Sequence, residues 1–261
     1  MQEVKQLLSL MKRLRDPHAG CPWDRAQTYA SIAPYTIEEA YEVADAIARG
    51  DRTALKQELG DLLFQVVFHA QLAKEEGAFT FADVAAAVTE KMIRRHPHVF
   101  GETRYADRAE QSDAWERLKA AERDTPADSV LDGVPPALPA MVRATKLQRK
   151  AAQVGFDWAA PMAVLEKITE ELTELRNELE AEAAPARLTE ELGDVLFACV
   201  NLARHLAVEP ESALRLANLK FERRFRRIET WLKAAGRSFQ QAGLAELDAL
   251  WERAKAEERG E

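Results

Sequence analysis

Eight carboxylates in two matching sets are the part of this 261-residue sequence that could do chemistry. Glu39 with Glu42 and Glu58 with Asp61 form the first set, and Glu171 with Glu174 and Glu191 with Asp194 the second. Each pair is spaced i,i+3, which places its two acids on one face of a helix, about one turn apart. Glu42 and Glu58, like Glu39 and Asp61, are centred on Gly50, so an antiparallel helical hairpin turning at Gly50-Asp51 brings four carboxylates to one level. In the second set, Glu171 with Asp194 and Glu174 with Glu191 share one centre, in a breaker stretch that contains Pro185. Four like charges at that range repel, and without a compensating cation some of them are driven to bind protons. Oxygen-only ligands select a hard ion, Mg²⁺ with Mn²⁺ as a substitute. No Cys or His lies on either acidic face to favour zinc, and the EF-hand loop pattern is missing. Mg²⁺ keeps waters and binds substrate phosphate, so a carboxylate cluster accompanied by Lys and Arg points to phosphate transfer or hydrolysis.

An EExxE stretch occurring once reads as a solvated acidic face. Its duplication, and the apolar run Leu62-Leu63-Phe64 directly after Glu58 and Asp61, argue against that reading here. Lys91 with Arg95 and Lys220 with Arg224 are two i,i+4 basic pairs, and Lys220 with Arg224 is in isolation equally readable as a surface face or as phosphate ligands. His96 and His98 flank Pro97 after a helix and are assigned no chemistry. Trp23, in a loop-like segment before the first hairpin, is expected to plug the core over the first helix.

The elements that must position these residues follow from periodicity. Val4, Leu7, Leu8, Met11 and Leu14 predict an amphipathic helix over residues 2–15. Residues 18–36 (HAGCPWDRAQTYASIAPYT) read as a loop, residues 36–74 as the first hairpin, 81–95 as a helix stopped by Pro97, and 107–123 as a charged helix. DTPADSVLDGVPPALPA breaks all periodicity and reads as a linker. Helical pattern resumes at Met141, pauses over Val154 to Pro161 and enters the second hairpin, followed by the long basic helix that carries Lys220 and Arg224. ELGDLLF (58–64) answers ELGDVLF (191–197), and WERLKAAER (115–123) answers WERAKAEER (251–259), with offsets from 129 to 136. No strand signature competes. The expected fold is all-α, two tandem copies of one helical-bundle unit: residues 1–124, a Pro-rich linker at 125–140, and residues 141–261.

Composition narrows the function. With 47% hydrophobic and 31% charged residues the chain has a globular balance. A formal charge of −8 argues against a nucleic-acid backbone as partner. The apolar runs are short and interrupted by charge, so no membrane segment or signal-peptide core is expected and the protein is read as cytoplasmic. Cys21 and Cys199 lie in different halves and are expected to be buried or idle thiols. Apolar runs such as LLFQVVF (62–68) and VLFACV (195–200) exceed one helix stripe, which predicts burial on more than one side and a homodimer.

GCPWDRAQT (20–28), TIEEAYEVADAI (36–47), ELGDLLFQVVFHA (58–70) and KMIRRHPHVFG (91–101), followed by the second acidic copy and NLKFERRF (218–225), resemble the two-domain MazG nucleoside triphosphate pyrophosphohydrolases over nearly the whole chain. The resemblance implies an all-α homodimer that hydrolyses NTPs or dNTPs between the α and β phosphates with Mg²⁺, giving nucleoside monophosphate and pyrophosphate in nucleotide-pool house-cleaning. It places metal ligands at Glu171, Glu174, Glu191 and Asp194. Nucleotide contacts fall on Lys167, Ile168, Thr169, Glu170 and Glu171, on Arg187 to Glu190, and on Lys220, Arg224 and Trp251; at position 187 the family often has Lys. Glu39, Glu42, Glu58 and Asp61 become a second candidate metal set. Thr89 stands where the second half has Asn218, VGFDW (154–158) replaces GCPWD, and the second half is the one expected to be catalytic. Glu170 and Glu190 are the spare acids expected to serve as base, and Lys220 and Arg224 are expected to neutralise the departing pyrophosphate. A non-enzymatic helical regulator that binds nucleotide or a partner protein is the alternative reading.

Overall fold

A computed structural model of the chain describes residues 2–122 and 128–260, all helical or irregular, without a strand among them. Two compact units divide it, Met1–Thr125 and Pro126–Glu261. The start of the expected linker and the last residue of the WERLKAAER repeat lie outside the described residues; from Asp128 to Pro139 the chain runs in turns and irregular structure.

The first unit contains α1 (Gln2–Leu14), α2 (Pro22–Ala26), α3 (Tyr29–Arg49), α4 (Arg52–Glu75), α5 (Phe81–Arg95), α6 (Pro97–Phe100) and α7 (Arg108–Ala121). α3 and α4 form the expected hairpin. Gly50 closes α3 in the left-handed region at φ 69°, where a side chain would be strained, and the Asp51 carboxylate caps α4 by accepting from the amides of Thr53 and Ala54. The loop reading of residues 18–36 fails in two places. Pro22 starts a short helix at its first positions, and α3 begins at Tyr29 rather than at Thr36. Thr28 and Ser31 build a reciprocal capping box that starts α3 before Pro34, so the proline interrupts an established turn instead of preventing one. Trp23 is a second correction: it is 51% exposed and meets Tyr35 edge-on, with ring centroids 6.0 Å apart. The core is filled by Met11, Ile32, Val67, Phe68 and Leu72, from α1, α3 and α4. Arg15 locks the segment after α1 over this core. It pairs with Glu75 at 2.7 Å, lies 5.4 Å from the Phe68 ring centroid, and donates to the carbonyl oxygens of Asp24 and Gln27.

The second unit contains α8 (Ala140–Gln153), α9 (Pro161–Glu180), α10 (Pro185–His205), α11 (Pro210–Ala234), a 3₁₀ turn (Phe239–Gln241) and α12 (Leu244–Arg259). α9, α10 and α11 each begin with proline, a residue whose missing N–H costs nothing at a helix start. α9 and α10 make the second hairpin through a turn that holds Glu182 at φ 51°. α8 packs on α10 as α1 packs on α4, and α11 pairs with α12. Cys21 and Cys199 are both free, the first half-buried and the second exposed. No helix among the described residues is long and apolar enough to cross a membrane.

Candidate active site

Among the described residues, two groups of three or more acidic, His or Cys side chains come close enough to share an ion, one in each hairpin. Glu171, Glu191 and Asp194 offer carboxylate oxygens within 4.8 Å of one another, as do Glu39, Glu58 and Asp61. Three acids of each set therefore converge, where the spacing predicts four. Glu174 and Glu42 stand at the edge: Glu174 acts on Glu191 through its charge, and Glu42 reaches hydrogen-bonding range of Glu58.

In the second unit Glu171 and Glu191 are only 7% and 5% exposed, while Asp194 faces solvent. Burial holds the Glu191 carboxyl above its ordinary range, with Glu174, Glu178 and Asp194 adding to the effect and Arg187 opposing it. Two cations occupy the rim. Lys167 Nζ lies 2.8 Å from Glu170 and 2.9 Å from Glu171, hydrogen bonds that raise its pKa. Arg187 pairs with Glu190 and Glu191 at 2.5 Å each and with Glu178 at 3.0 Å. These are i,i+3 and i,i+4 relations along α9 and α10, apart from the Arg187–Glu178 bridge across the hairpin. Oxygen-only donors, two buried and one open to solvent, fit a hard divalent ion that keeps water and substrate ligands. Glu170 and Glu190 are exposed and each is held by a cation.

Arg224 and Trp251 belong to a different cluster. Arg224 pairs with Glu258 at 2.7 Å and lies 5.5 Å from the centroid of the Trp251 ring, which packs against Phe221 at 5.4 Å. Among the described residues neither Lys220 nor Arg224 is paired with the four carboxylates. Arg223 shares Glu258, also at 2.7 Å, and the two guanidinium groups hold the Glu258 carboxyl below its ordinary range. The first unit repeats this clasp: Arg94 and Arg95 share Glu122, whose carboxyl they hold down to about 2, and Arg95 lies 5.5 Å from the Trp115 ring centroid.

Sequence reasoning missed Glu258 and Glu122, although both lie at the same place inside the WERxKAxER repeat. It also missed Glu178, seven residues past Glu171 and so on the same helical face, which anchors Arg187. Ile168, Thr169, Leu188 and Thr189 lie between the paired charges; Thr169 and Thr189 spend their hydroxyls on the carbonyls of Leu165 and Pro185.

The comparisons with known proteins match both hairpins. A model of the MazG nucleotide pyrophosphohydrolase domain matches the chain twice, at residues 27–100 and 160–228, each match spanning one carboxylate hairpin. Over 260 residues the chain is 50% identical to the nucleoside triphosphate pyrophosphohydrolase of Escherichia coli (strain K12), with 99% of each chain covered. Over 251 residues it is 46% identical to the nucleoside triphosphate pyrophosphohydrolase/pyrophosphatase MazG of Thermotoga maritima, covering 96% of this chain and 95% of that one. With both hairpins matched in order and relatives aligned from end to end, this all-α chain of two tandem units belongs to the MazG nucleotide pyrophosphohydrolase family.

Proposed function

We propose that the second unit hydrolyses nucleoside triphosphates, ribo or deoxy, to the nucleoside monophosphate and pyrophosphate, and that this clears unwanted nucleotides from the cytoplasmic pool. The observation that carries the reading is the buried Glu171–Glu191–Asp194 group with cations on its rim, in a chain whose full-length relatives bear that activity in their names. Glu171, Glu191 and Asp194, with Glu174 at the edge, would hold Mg²⁺, or Mn²⁺ in its place. When bound, the ion supplies Lewis acidity at a phosphate oxygen and lowers the pKa of water.

The remaining work falls to the chain itself. Lys167 and Arg187 already neutralise the carboxylate rim, and their N–H groups are the donors nearest to an arriving polyphosphate. Glu170 and Glu190 are exposed acids one residue before the ligands Glu171 and Glu191. Either can take the proton of an attacking water once its cation turns to the substrate. Lys220 and Arg224 serve the departing pyrophosphate after Arg224 is drawn from Glu258. Trp251, with Arg224 against its ring, completes the nucleotide contacts.

The functional form is a homodimer, without nucleic acid or membrane. Its support is the row of exposed leucines Leu165, Leu172 and Leu179 on α9, joined by Leu192 and Leu196 on α10. The first unit binds or stabilises rather than hydrolyses. Pyrophosphate release from an NTP with Mg²⁺ tests the activity; EDTA should abolish it, and acid should weaken it because protonated carboxylates do not ligate. Intact NTP with both Mg²⁺ and Mn²⁺ would favour the non-enzymatic regulator.

A further inference from the structure

Acids and cations at the second hairpin are unequally buried. Glu171 and Glu191 are 7% and 5% exposed, whereas the side chains of Lys167 and Arg187 are 31% and 49% exposed. The two cations thus reach in from the rim to carboxylates that water barely touches. Lys167 Nζ lies 2.9 Å from Glu171 and Arg187 Nη2 lies 2.5 Å from Glu191, while Asp194, the third acid, is open to solvent. Buried carboxylates left bare would repel one another, and these contacts offset that repulsion.

The charge supplied in this way is the charge of the ion that the acids fit. A lysine and an arginine carry two positive charges between them, as Mg²⁺ or Mn²⁺ does, and they sit on the two buried carboxylates that such an ion would share. An ion on the same carboxylates meets like charges at contact range, so ion and cations compete for them. Both cations have an alternative place. Each already bonds an exposed acid outside the trio, Lys167 with Glu170 at 2.8 Å and Arg187 with Glu190 at 2.5 Å, so each can leave its buried partner and remain at the rim.

Resting on the hydrolase reading above, we infer that Lys167 and Arg187 are resident stand-ins for the divalent ion, released to the polyphosphate when ion and substrate arrive together. The exchange couples the two ligands. A polyphosphate draws the cations off Glu171 and Glu191 and so opens these acids to the ion. The ion, by repelling the cations, frees their N–H groups for the polyphosphate, and by linkage the two effects are equal in size. The ion alone binds the second unit weakly, because it must displace both cations with no anion to receive them.

The experiment measures Mn²⁺ binding by calorimetry, without nucleotide, in the full chain carrying Asp61→Asn so that the first hairpin contributes least. Lys167→Met combined with Arg187→Met should tighten Mn²⁺ about tenfold, since the competing charges are gone. Lys167→Met alone keeps the Arg187–Glu178 bridge between the helices and should tighten Mn²⁺ about threefold, which keeps the inference testable if the double variant fails to fold. Arg176→Met removes an exposed arginine of α9 that touches none of the three acids; it gauges a general charge effect and should change Mn²⁺ less than about twofold. Inorganic triphosphate with Mg²⁺ should move in the opposite direction, binding about fivefold more weakly to Lys167→Met. A merely structural role would weaken both ligands. Mn²⁺ affinity that is unchanged or weaker in Lys167→Met, an equal gain in Arg176→Met, or triphosphate binding that does not fall overturns the exchange. Failure of the hydrolase reading is separate, since it would appear as a wild type that releases no pyrophosphate from an NTP whichever way Mn²⁺ binding moves.

Discussion

The two hairpins hold the same acids and differ in what neutralises them. In the second, Lys167 and Arg187 bridge the carboxylates; the matching positions in the first are Tyr35 and Ala54. Among the described residues no cation pairs with Glu39, Glu42, Glu58 or Asp61, and the nearest help is Gln65 Nε2 at 3.5 Å from Glu39. Burial raises the Glu39 carboxyl, reinforced by Asp61 and Glu42, and burial also raises Glu58, reinforced by Glu42 and Asp61. The Arg–Glu–Trp clasp, in contrast, is common to both units and cannot be what distinguishes them. A carboxylate cluster alone is an electrostatic liability that any cation or proton relieves. Among the described residues, only the second hairpin pairs its carboxylates with cations of its own.

The largest effect should come from the proposed metal ligands. Asp194→Asn or Glu171→Gln keeps the shape and removes the charge, so kcat should fall by about three orders of magnitude, roughly 4 kcal/mol. Asp61→Asn in the first unit should change kcat less than about threefold while raising the thermal midpoint in metal-free buffer, since it relieves repulsion. A comparable loss in Asp61→Asn would make both hairpins catalytic and end the contrast.

Phe68→Ala should destabilise the first unit by about 3–5 kcal/mol, read by denaturant unfolding, because it empties the core of a fully buried ring. A smaller step separates the counterions. Arg187→Ala should raise KM for triphosphate about tenfold, about 1.4 kcal/mol, and the reciprocal Ala54→Arg should raise the thermal midpoint of the metal-free protein without raising kcat. Lost kcat at unchanged KM in Arg187→Ala would instead make it a group acting only in the transition state.

The smallest effect is a pH dependence in the clasp. Arg95 and Arg94 hold Glu122 at about 2, below its ordinary 4.5. A depressed carboxylate contributes stability that is present above the unfolded value and is lost as pH falls through the folded one. The stability gap between wild type and Glu122→Gln should therefore be constant at neutral pH and close between about 4.5 and about 2, as followed by denaturation at a series of pH values. Glu39 and Glu58 have the opposite sign: their raised values mean that the penalty of charging them is relieved as pH falls.

The i,i+3 acids, the symmetric turn at Gly50, the helix over 81–95 and the tandem duplication were all legible in the chain, because each depends on local periodicity or on matching strings. α2 and the early start of α3 were hidden by a segment rich in Pro and small polar residues, where one reciprocal cap at Thr28 and Ser31 outweighed composition. Trp23 looked like a core residue by type, yet Met11 and Phe68 arrive from two different helices and fill that space first.

What the sequence by itself determined is which residues share a helix face and which strings recur, since backbone geometry fixes both without reference to the rest of the molecule. Which three of four acids meet, which cation each one takes, and that Glu178 and Glu258 hold the arginines were decided only by the tertiary structure. Those relations depend on how helices pack across distances in sequence that no periodicity encodes, so side chains far apart in the chain meet only once the fold is made.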